Sequence, residues 1–141
     1  PSNIYDSLIS FIPRLKNIEY AKLYPEQQTG DGSIEHPFQM PFYEYADVVH
    51  EFEKEVYKFE KDHPEFQLNT YNNIFLMNGL RWDEEVMTKA DVSNANGQVV
   101  MALILGAIRA ERFCDGTLKD FLELGCIEKW LLRLQEIASK I

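Results

Sequence analysis

The sequence feature that most constrains the fold is an unbroken apolar run at residues 99–108. Its ten residues, Gly106 included, fall well short of the roughly 20 that a membrane-spanning helix needs. Apolar side chains occupy nearly every face of the wider segment from about 98 to 113, which is typical of a helix surrounded by other helices. We therefore expect a mainly α fold, a single-domain helical bundle around this central helix.

Length and charge limit the class of protein. The chain has 141 residues, which is the usual size of one domain, so we expect a single globular domain over residues 1–141. Its 45% hydrophobic content excludes a disordered chain. The formal net charge of −9 disfavours direct nucleic-acid binding, because proteins that bind nucleic acid usually present a basic patch. The sequence opens without a secretion signal, so the expected location is the cytoplasm, away from membranes.

A small extended or hairpin element is expected near residues 18–42. Alternating side chains in its first part indicate a strand, and a polar turn follows. In its last part apolar residues share one face at period two, but Pro37 and Pro41 restrict it to an edge strand or an extended strap. Because a period-two apolar row is typical of a buried face, we expect the strap to cover the core. The residues that would do so are Phe38, Met40 and Phe42.

Apolar residues three and four apart predict helices before and after the central one. Met77 is among the residues that we expect to be buried, and Gly79 is expected just past the end of its helix. Ser93, Asn94 and Asn96 compete to cap the central helix. The expected helices are an opening one interrupted by Pro13, one at 44–62 ended by Pro64, one from Asn69 or Thr70 to Asn78, a turn or two within 83–91, one capped by Asp115 and ending at Gly125, and one from Ile127 onward.

Charged residues follow the apolar run at the end of the central helix. Arg109 and Arg112 are three residues apart and share a face, with Gln98 three turns away on the same stripe. Such an arginine pair matches the geometry of a carboxylate or phosphate and predicts a site for a small anionic ligand. The alternative is a structural network, in which the arginines pair with acidic neighbours and compensate the helix dipole. The acidic candidates for either role are Glu111, Asp115 and Asp91.

One histidine lies on the predicted strap. His36 is a candidate acid–base group beside the predicted anion site, because histidine is the side chain most often used for proton transfer, and the three acidic residues are candidates as well. A catalytic pair of His36 with Cys114 or Glu111 requires hydrogen-bond distance, which spacing alone does not establish. The chain contains no P-loop, dinucleotide-binding turn, zinc quartet or nucleophile elbow. The sequence therefore favours a non-catalytic protein over an enzyme.

The helix expected at 44–62 carries two acid–x–x–His motifs. They are Asp47 with His50, and Glu60 with His63. This spacing occurs among the ligands of di-iron bundles. The two motifs lie about 20 Å apart along one helix, however, so they cannot close on one metal ion. We expect no metal and no cofactor.

Three blocks of sequence are distinctive. They are EHPFQMPF at 35–42, ADVSN at 90–94 continuing to GAIRAERFCDG at 106–116, and KWL with RL at 129–134. With these blocks the chain resembles a family of short bacterial proteins classed as a domain of unknown function, over most of residues 35–138. The resemblance implies a bacterial, intracellular, stand-alone domain, and it brings no activity, substrate or catalytic residue.

Two functional hypotheses remain open. The first is a non-catalytic binding module that acts through self-association or a protein partner. Its surface would be the acidic row of Asp47, Glu51 and Glu55, which is otherwise a solvated face. The second is an anion-binding protein or enzyme with its site at Arg109 and Arg112. A concave pocket at the arginines would favour the second hypothesis, and closed ion pairs would favour the first.

Overall fold

The computed structural model describes residues 3–25, 30–38 and 40–140. It is mainly α with one small antiparallel hairpin, as the sequence predicts. None of the helices in these ranges is both long enough and apolar enough to cross a membrane. The elements are α1 (Asp6–Ile9), α2 (Phe11–Arg14), β1 (Ala21–Tyr24), β2 (Phe42–Tyr45), α3 (Asp47–Asp62), α4 (Tyr71–Met77), α5 (Glu84–Lys89), α6 (Gly97–Ala110), α7 (Thr117–Glu123) and α8 (Cys126–Ser139), with 3₁₀ turns at Pro64–Phe66 and Leu68–Thr70.

Helix α6 lies at the centre of the fold. Every residue from 99 to 108 is buried, as expected, and α3, α4, α7 and α8 all pack against the helix. The helix begins at Gly97, because the Asn96 side chain accepts a hydrogen bond from the Val99 N–H at 3.0 Å. Of the three candidate caps, Asn96 is the one used. Helix α6 ends at Ala110, short of the expected end near residue 113.

The start of α6 lies against the ring of Tyr5. Tyr5 is buried, and its ring centroid is 5.7 Å from that of Phe59 and 6.3 Å from that of Phe66. A Cβ atom at Gly97 would overlap the Tyr5 hydroxyl, so the close approach depends on glycine at this position. This contact joins the amino-terminal segment to the central helix.

The hairpin pairs β1 with β2 in antiparallel register, starting with Ala21 opposite Tyr45. The first strand lies where the alternation predicts it. The second begins only at residue 42, because the two prolines before it lack the N–H groups that a strand ladder needs. The expected polar turn at 27–32 lies partly outside the described residues, since 26–29 are not described.

The expectation that the strap covers the core is wrong. Its apolar side chains are exposed, by 61% for Phe38, 82% for Met40 and 43% for Phe42. The segment forms a local turn instead, in which the Asp31 N–H donates to the His36 carbonyl at 2.9 Å. The core does not need this cover, because helices already surround α6. A period-two apolar row therefore lies in solvent.

The first helices differ from expectation for local reasons. Pro13 has no N–H to donate to the Ile9 carbonyl, so the opening helix divides at Ser10 into α1 and α2. Helix α3 begins at Asp47 rather than at residue 44, because the residues before it belong to β2.

Helix α4 confirms its expected end but not one of its expected core residues. Gly79 has φ +72°, the left-handed conformation that suits a residue just past a helix. Met77 is 85% exposed, so the expectation that it is buried is wrong. It lies about 200° around the helix from the buried Phe75 and therefore faces solvent.

Candidate functional site

Glu111 joins the end of α6 to the start of α7. Its Oε1 atom accepts hydrogen bonds from the Tyr45 hydroxyl at 2.8 Å and from the Leu118 N–H at 3.0 Å. Both carboxylate oxygens also accept from the Gly116 N–H. A carboxylate in this position satisfies free N–H groups of the first helical turn and interacts favourably with the helix dipole. Glu111 therefore caps α7.

The prediction that Asp115 caps this helix is wrong. The N-cap residue is Gly116, whose φ of +94° turns the chain in the left-handed conformation that glycine adopts readily. The Asp115 side chain lies instead beside β2, where Oδ2 accepts a hydrogen bond from the Tyr43 N–H at 2.9 Å. Asp115 thus attaches the hairpin to the turn between α6 and α7.

The Tyr45 hydroxyl completes this junction. It donates to Glu111 and accepts from the Lys119 N–H at 2.9 Å, while the ring is buried. Burial raises the pKa of Tyr45 far above the ordinary value of 10.0, and the hydrogen bond to Glu111 raises the pKa further because a phenolate cannot donate. The junction holds β2, α6 and α7 together through hydrogen bonds.

We expect Tyr45→Phe to lower the free energy of unfolding at neutral pH. The variant should also make this free energy less dependent on pH in the alkaline range. Losing the hydroxyl leaves the Lys119 N–H without its partner, at a cost of about 1–2 kcal/mol. Because the folded pKa lies above the unfolded one, the stabilisation by Tyr45 is complete below about pH 10 and declines at higher pH, by about 1.4 kcal/mol per pH unit.

Urea unfolding of wild type and Tyr45→Phe between about pH 8 and 11 measures this difference. Other buried tyrosines contribute to both proteins, so the difference between the two curves isolates Tyr45. Curves that stay parallel above pH 10 would contradict this role for the hydroxyl.

Arg109 lies at the end of α6 beside α3. Its Nη2 atom is 3.8 Å from Oε1 of Glu60, and its guanidinium carbon is 5.6 Å from the centroid of the Tyr57 ring. The pairing is incomplete, because Nε of Arg109 and Oε2 of Glu60 are buried without a hydrogen-bond partner among the described residues. One long contact therefore compensates only part of the cost of burying these charges.

Arg112 is exposed and contacts the same tyrosine. Its Nη2 atom donates to the Tyr57 hydroxyl at 3.2 Å, and its guanidinium carbon is 5.8 Å from the ring centroid. Within the described ranges Arg112 forms no ion pair. The structure thus brings the two predicted arginines together on one aromatic ring of α3.

The remaining predicted residues lie elsewhere. Gln98 donates from Nε2 to a backbone carbonyl of the 3₁₀ turn after α3, at 2.9 Å. Asp91 is exposed in the loop before α6 and accepts a hydrogen bond from a backbone N–H of that loop at 2.9 Å. His36 is exposed in the turn before β2. No side-chain contact in the described part of the chain joins these three residues to the arginines.

Aromatic side chains that the sequence patterns do not single out lie near the end of α6 that carries the arginines. Trp82 donates from Nε1 to the Gly106 carbonyl at 2.9 Å, and its ring meets those of Tyr71 and Phe113 edge to face, each at 5.4 Å. Phe113 is 78% exposed. In the sequence, its position directly after Arg112 is the one indication that Phe113 belongs to this site. This group is named the arginine–aromatic surface, and its members are Tyr57, Tyr71, Trp82, Arg109, Arg112 and Phe113.

A cleft of about 280 Å³ opens beside Phe113. Pockets for whole small molecules usually enclose about 300–1,000 Å³, so this cleft is better matched to a single side chain. The free thiol of Cys114 lies in its wall, whereas Cys126 is a buried free cysteine of α8. The cleft is lined mainly by apolar side chains, which are Trp82, Met87, Ala110, Phe113, Cys114 and Phe121.

Comparison with known proteins places the whole described fold within one family. The model of DUF6508, a family of unknown function, matches residues 1–140. The chain belongs to this family. No curated protein and no solved structure matches it. Membership of DUF6508 confirms the resemblance to a family of unknown function, and it assigns no activity.

The groups at this site of the DUF6508 chain suit recognition more than acid–base chemistry. The arginines stay charged, and the exposed ring and the apolar cleft offer contact area rather than proton transfer. The two acidic residues next to them in sequence, Glu111 and Asp115, are occupied by backbone N–H groups. Among the described residues, no group of three or more His, Cys, Asp or Glu side chains is arranged to hold a metal ion.

Proposed function

We propose that this chain is a non-catalytic protein-interaction module whose arginine–aromatic surface docks a partner segment that carries acidic residues and one apolar side chain. The observation that carries the proposal is the Phe113 ring, which is 78% exposed and held edge to face against Trp82. A large apolar side chain in this position loses contact with water when a partner covers it, which favours association.

Other aromatic side chains hold the exposed Phe113 ring in place. Trp82 is fixed to the Gly106 carbonyl, and Tyr71 also packs edge to face against the indole. A preordered aromatic group costs little conformational entropy on binding. Residues with most of the binding energy at protein interfaces are enriched in Trp, Tyr and Arg, which are the residue types gathered here.

The charge around the ring favours an acidic partner. Arg81 directly precedes Trp82 in the sequence and Arg112 directly precedes Phe113; both arginines are exposed, and neither forms an ion pair with the described residues. These two cations lie on a chain whose net charge is −9, and the carboxylates near them include Asp83 and Glu84, which line the cleft beside Phe113. Carboxylates of a partner would be attracted to this surface and would fix its orientation.

The cleft beside Phe113 supplies the apolar part of the interaction. It has room for about one aliphatic or aromatic side chain, and its walls are the Trp82 and Phe121 rings. An anchor residue in the cleft would place its neighbours in the partner chain near Arg112. Apolar anchors in pockets surrounded by polar contacts are the usual organisation of an interface.

The acidic row of α3 has less support as the docking surface. Glu51, the middle residue of the row, forms an ion pair with Arg14, so part of the acidic charge of the row is already compensated. A small anion at the arginines also has less support, because Arg109 is engaged with Glu60 and Tyr57. Self-association through the same surface is an alternative outcome of the experiment below.

Selection from a phage-displayed library of random peptides tests the proposal. We expect the purified protein to enrich peptides with one aromatic or aliphatic residue flanked by Asp or Glu. For a synthetic peptide from this selection, Phe113→Ser should raise the Kd about 30-fold and Arg112→Ser about 5- to 10-fold, which are typical costs of losing an anchor and a charge contact.

Two matched controls keep this test specific. Leu124→Ser removes another exposed apolar side chain, 62% exposed, from outside the arginine–aromatic surface, and it should leave the Kd unchanged. Because Phe113 and Arg112 are exposed, their variants should keep the wild-type melting temperature. Enriched peptides without acidic residues, or a Kd that Phe113→Ser does not change, would overturn the proposal. If native mass spectrometry shows dimers that Phe113→Ser dissociates, the partner at this surface is a second copy of the chain rather than another protein.

A further inference from the structure

A second cleft, of about 430 Å³, lies between α8 and the loop that joins α5 to α6. Its volume is in the range of small-molecule sites. The apolar part of its lining is formed by Ala90, Val92 and Leu132, and the charged part includes Lys129, Arg133 and Asp91. It shares no residue with the arginine–aromatic surface, so a function here is independent of the function proposed above.

Two cations on α8 are held in place at one side of this cleft. Lys129 and Arg133 lie four residues apart and therefore on the same face of the helix. The Lys129 ammonium donates to the carbonyls of Thr88 and Ala90, at 3.3 and 3.1 Å. Nε of Arg133 donates to a carbonyl of the same loop at 2.9 Å. These bonds fix both cations before any ligand arrives.

Both cations keep unused donors. Lys129 has three N–H groups and uses two of them, and it forms no ion pair with the described residues. Arg133 is only 11% exposed and uses Nε and Nη1, the latter for Glu136 at 2.6 Å. Its Nη2 atom has no hydrogen-bond partner in the ranges that the structure describes. A carboxylate in the cleft would satisfy these donors.

Carboxylates also line the cleft: Asp91 on the loop, and Glu128 and Glu136 on α8. The Oδ1 atom of Asp91 accepts the Ser93 N–H at 2.9 Å, and this bond lowers the pKa of Asp91, so the side chain remains a carboxylate. Glu128 is exposed next to Lys129. A plain anion in the cleft would be repelled by these carboxylates, and a plain cation would be repelled by Lys129 and Arg133.

We propose that this cleft binds a free α-amino acid with an apolar side chain. Its carboxylate accepts hydrogen bonds from Lys129 and Arg133, and its ammonium group pairs with Asp91. Its side chain packs against Val92 and Leu132, of which Leu132 is 42% exposed. A molecule with both charges at one end and an apolar body at the other offers a partner to the two cations, to Asp91 and to the apolar part of the lining.

Isothermal titration calorimetry with leucine tests this proposal, with leucinamide and N-acetylleucine as matched compounds. Leucinamide lacks the carboxylate, N-acetylleucine lacks the ammonium group, and glycine lacks the apolar side chain. We expect leucine to bind and each of the three compounds to bind at least tenfold more weakly.

Asp91→Asn is the variant that separates ligand binding from folding. The asparagine amide oxygen still accepts the Ser93 N–H, so the loop and the melting temperature should be retained. The variant should weaken leucine binding about tenfold and leave the weak binding of N-acetylleucine unchanged. Glu85→Gln, which removes an exposed carboxylate outside this cleft, should bind leucine as the wild type does.

Three results would overturn the proposal. They are no detectable binding of leucine at about 10 mM, equal binding of leucine and N-acetylleucine, and full leucine affinity in Asp91→Asn. Equal binding of glycine and leucine would likewise show that Val92 and Leu132 do not bind the side chain of the ligand. Each of these results leaves the peptide selection on the arginine–aromatic surface unaffected.

Discussion

Replacing Glu111 with alanine should lower the free energy of unfolding by about 3 kcal/mol. The carboxylate accepts hydrogen bonds from the Tyr45 hydroxyl and from the N–H groups of Gly116 and Leu118. Hydrogen bonds to a charged group contribute about 1.5–3 kcal/mol each, and part of the loss is recovered when water reaches the freed donors. Urea unfolding at pH 7 measures the change.

Two variants define the origin of this loss. Glu111→Gln keeps an acceptor oxygen but loses the charge, so about half of the loss should remain. Asp115→Ala removes a single hydrogen bond from an exposed carboxylate and should cost about 1 kcal/mol or less. If Glu111→Ala costs no more than Asp115→Ala, Glu111 does not cap α7.

Gly97→Ala should lower the free energy of unfolding by about 2 kcal/mol, against the usual preference of helices. Alanine in place of glycine normally stabilises a helix by about 1 kcal/mol. Here the added Cβ would overlap the Tyr5 hydroxyl, and Tyr5 cannot move aside freely because it packs against Phe59 and Phe66. Overpacking of this kind typically costs about 1–3 kcal/mol.

A double-mutant cycle identifies the contact responsible for this effect. In a Tyr5→Phe background the hydroxyl is gone, so Gly97→Ala should lose about half of its cost. The remainder comes from the ring carbon, which would lie 2.8 Å from the new Cβ. Equal costs of Gly97→Ala in both backgrounds would exclude the Tyr5 hydroxyl as the cause.

The elements whose formation depends on residues close together in the sequence were predictable. Helix α6 follows from ten consecutive apolar residues, and its cap Asn96 is one of the three residues that compete for that position in the sequence. The exposed strap was not predictable, because a period-two pattern describes which side chains share a face and not whether another element covers that face. In this fold the helices around α6 close the core without it.

The site was predictable in part for the same reason. Arg109 and Arg112 are indicated by charges that follow an apolar run within one helix. Their aromatic partner Tyr57 belongs to α3, and Trp82 comes from a loop, so both are separated from the arginines by many residues. The position of Asp91 beside α8 depends on a packing of distant segments that spacing does not encode.

The two tryptophans of the chain occupy contrasting environments. Trp130 is fully buried in α8 beside Phe121, whereas Trp82 lies half-buried under the exposed Phe113 ring. Their intrinsic fluorescence therefore reports on two different processes. Emission from Trp130 follows the integrity of the core, and emission from Trp82 senses what covers Phe113, so that a Trp82→Phe chain and its parent together distinguish unfolding from docking without any added dye.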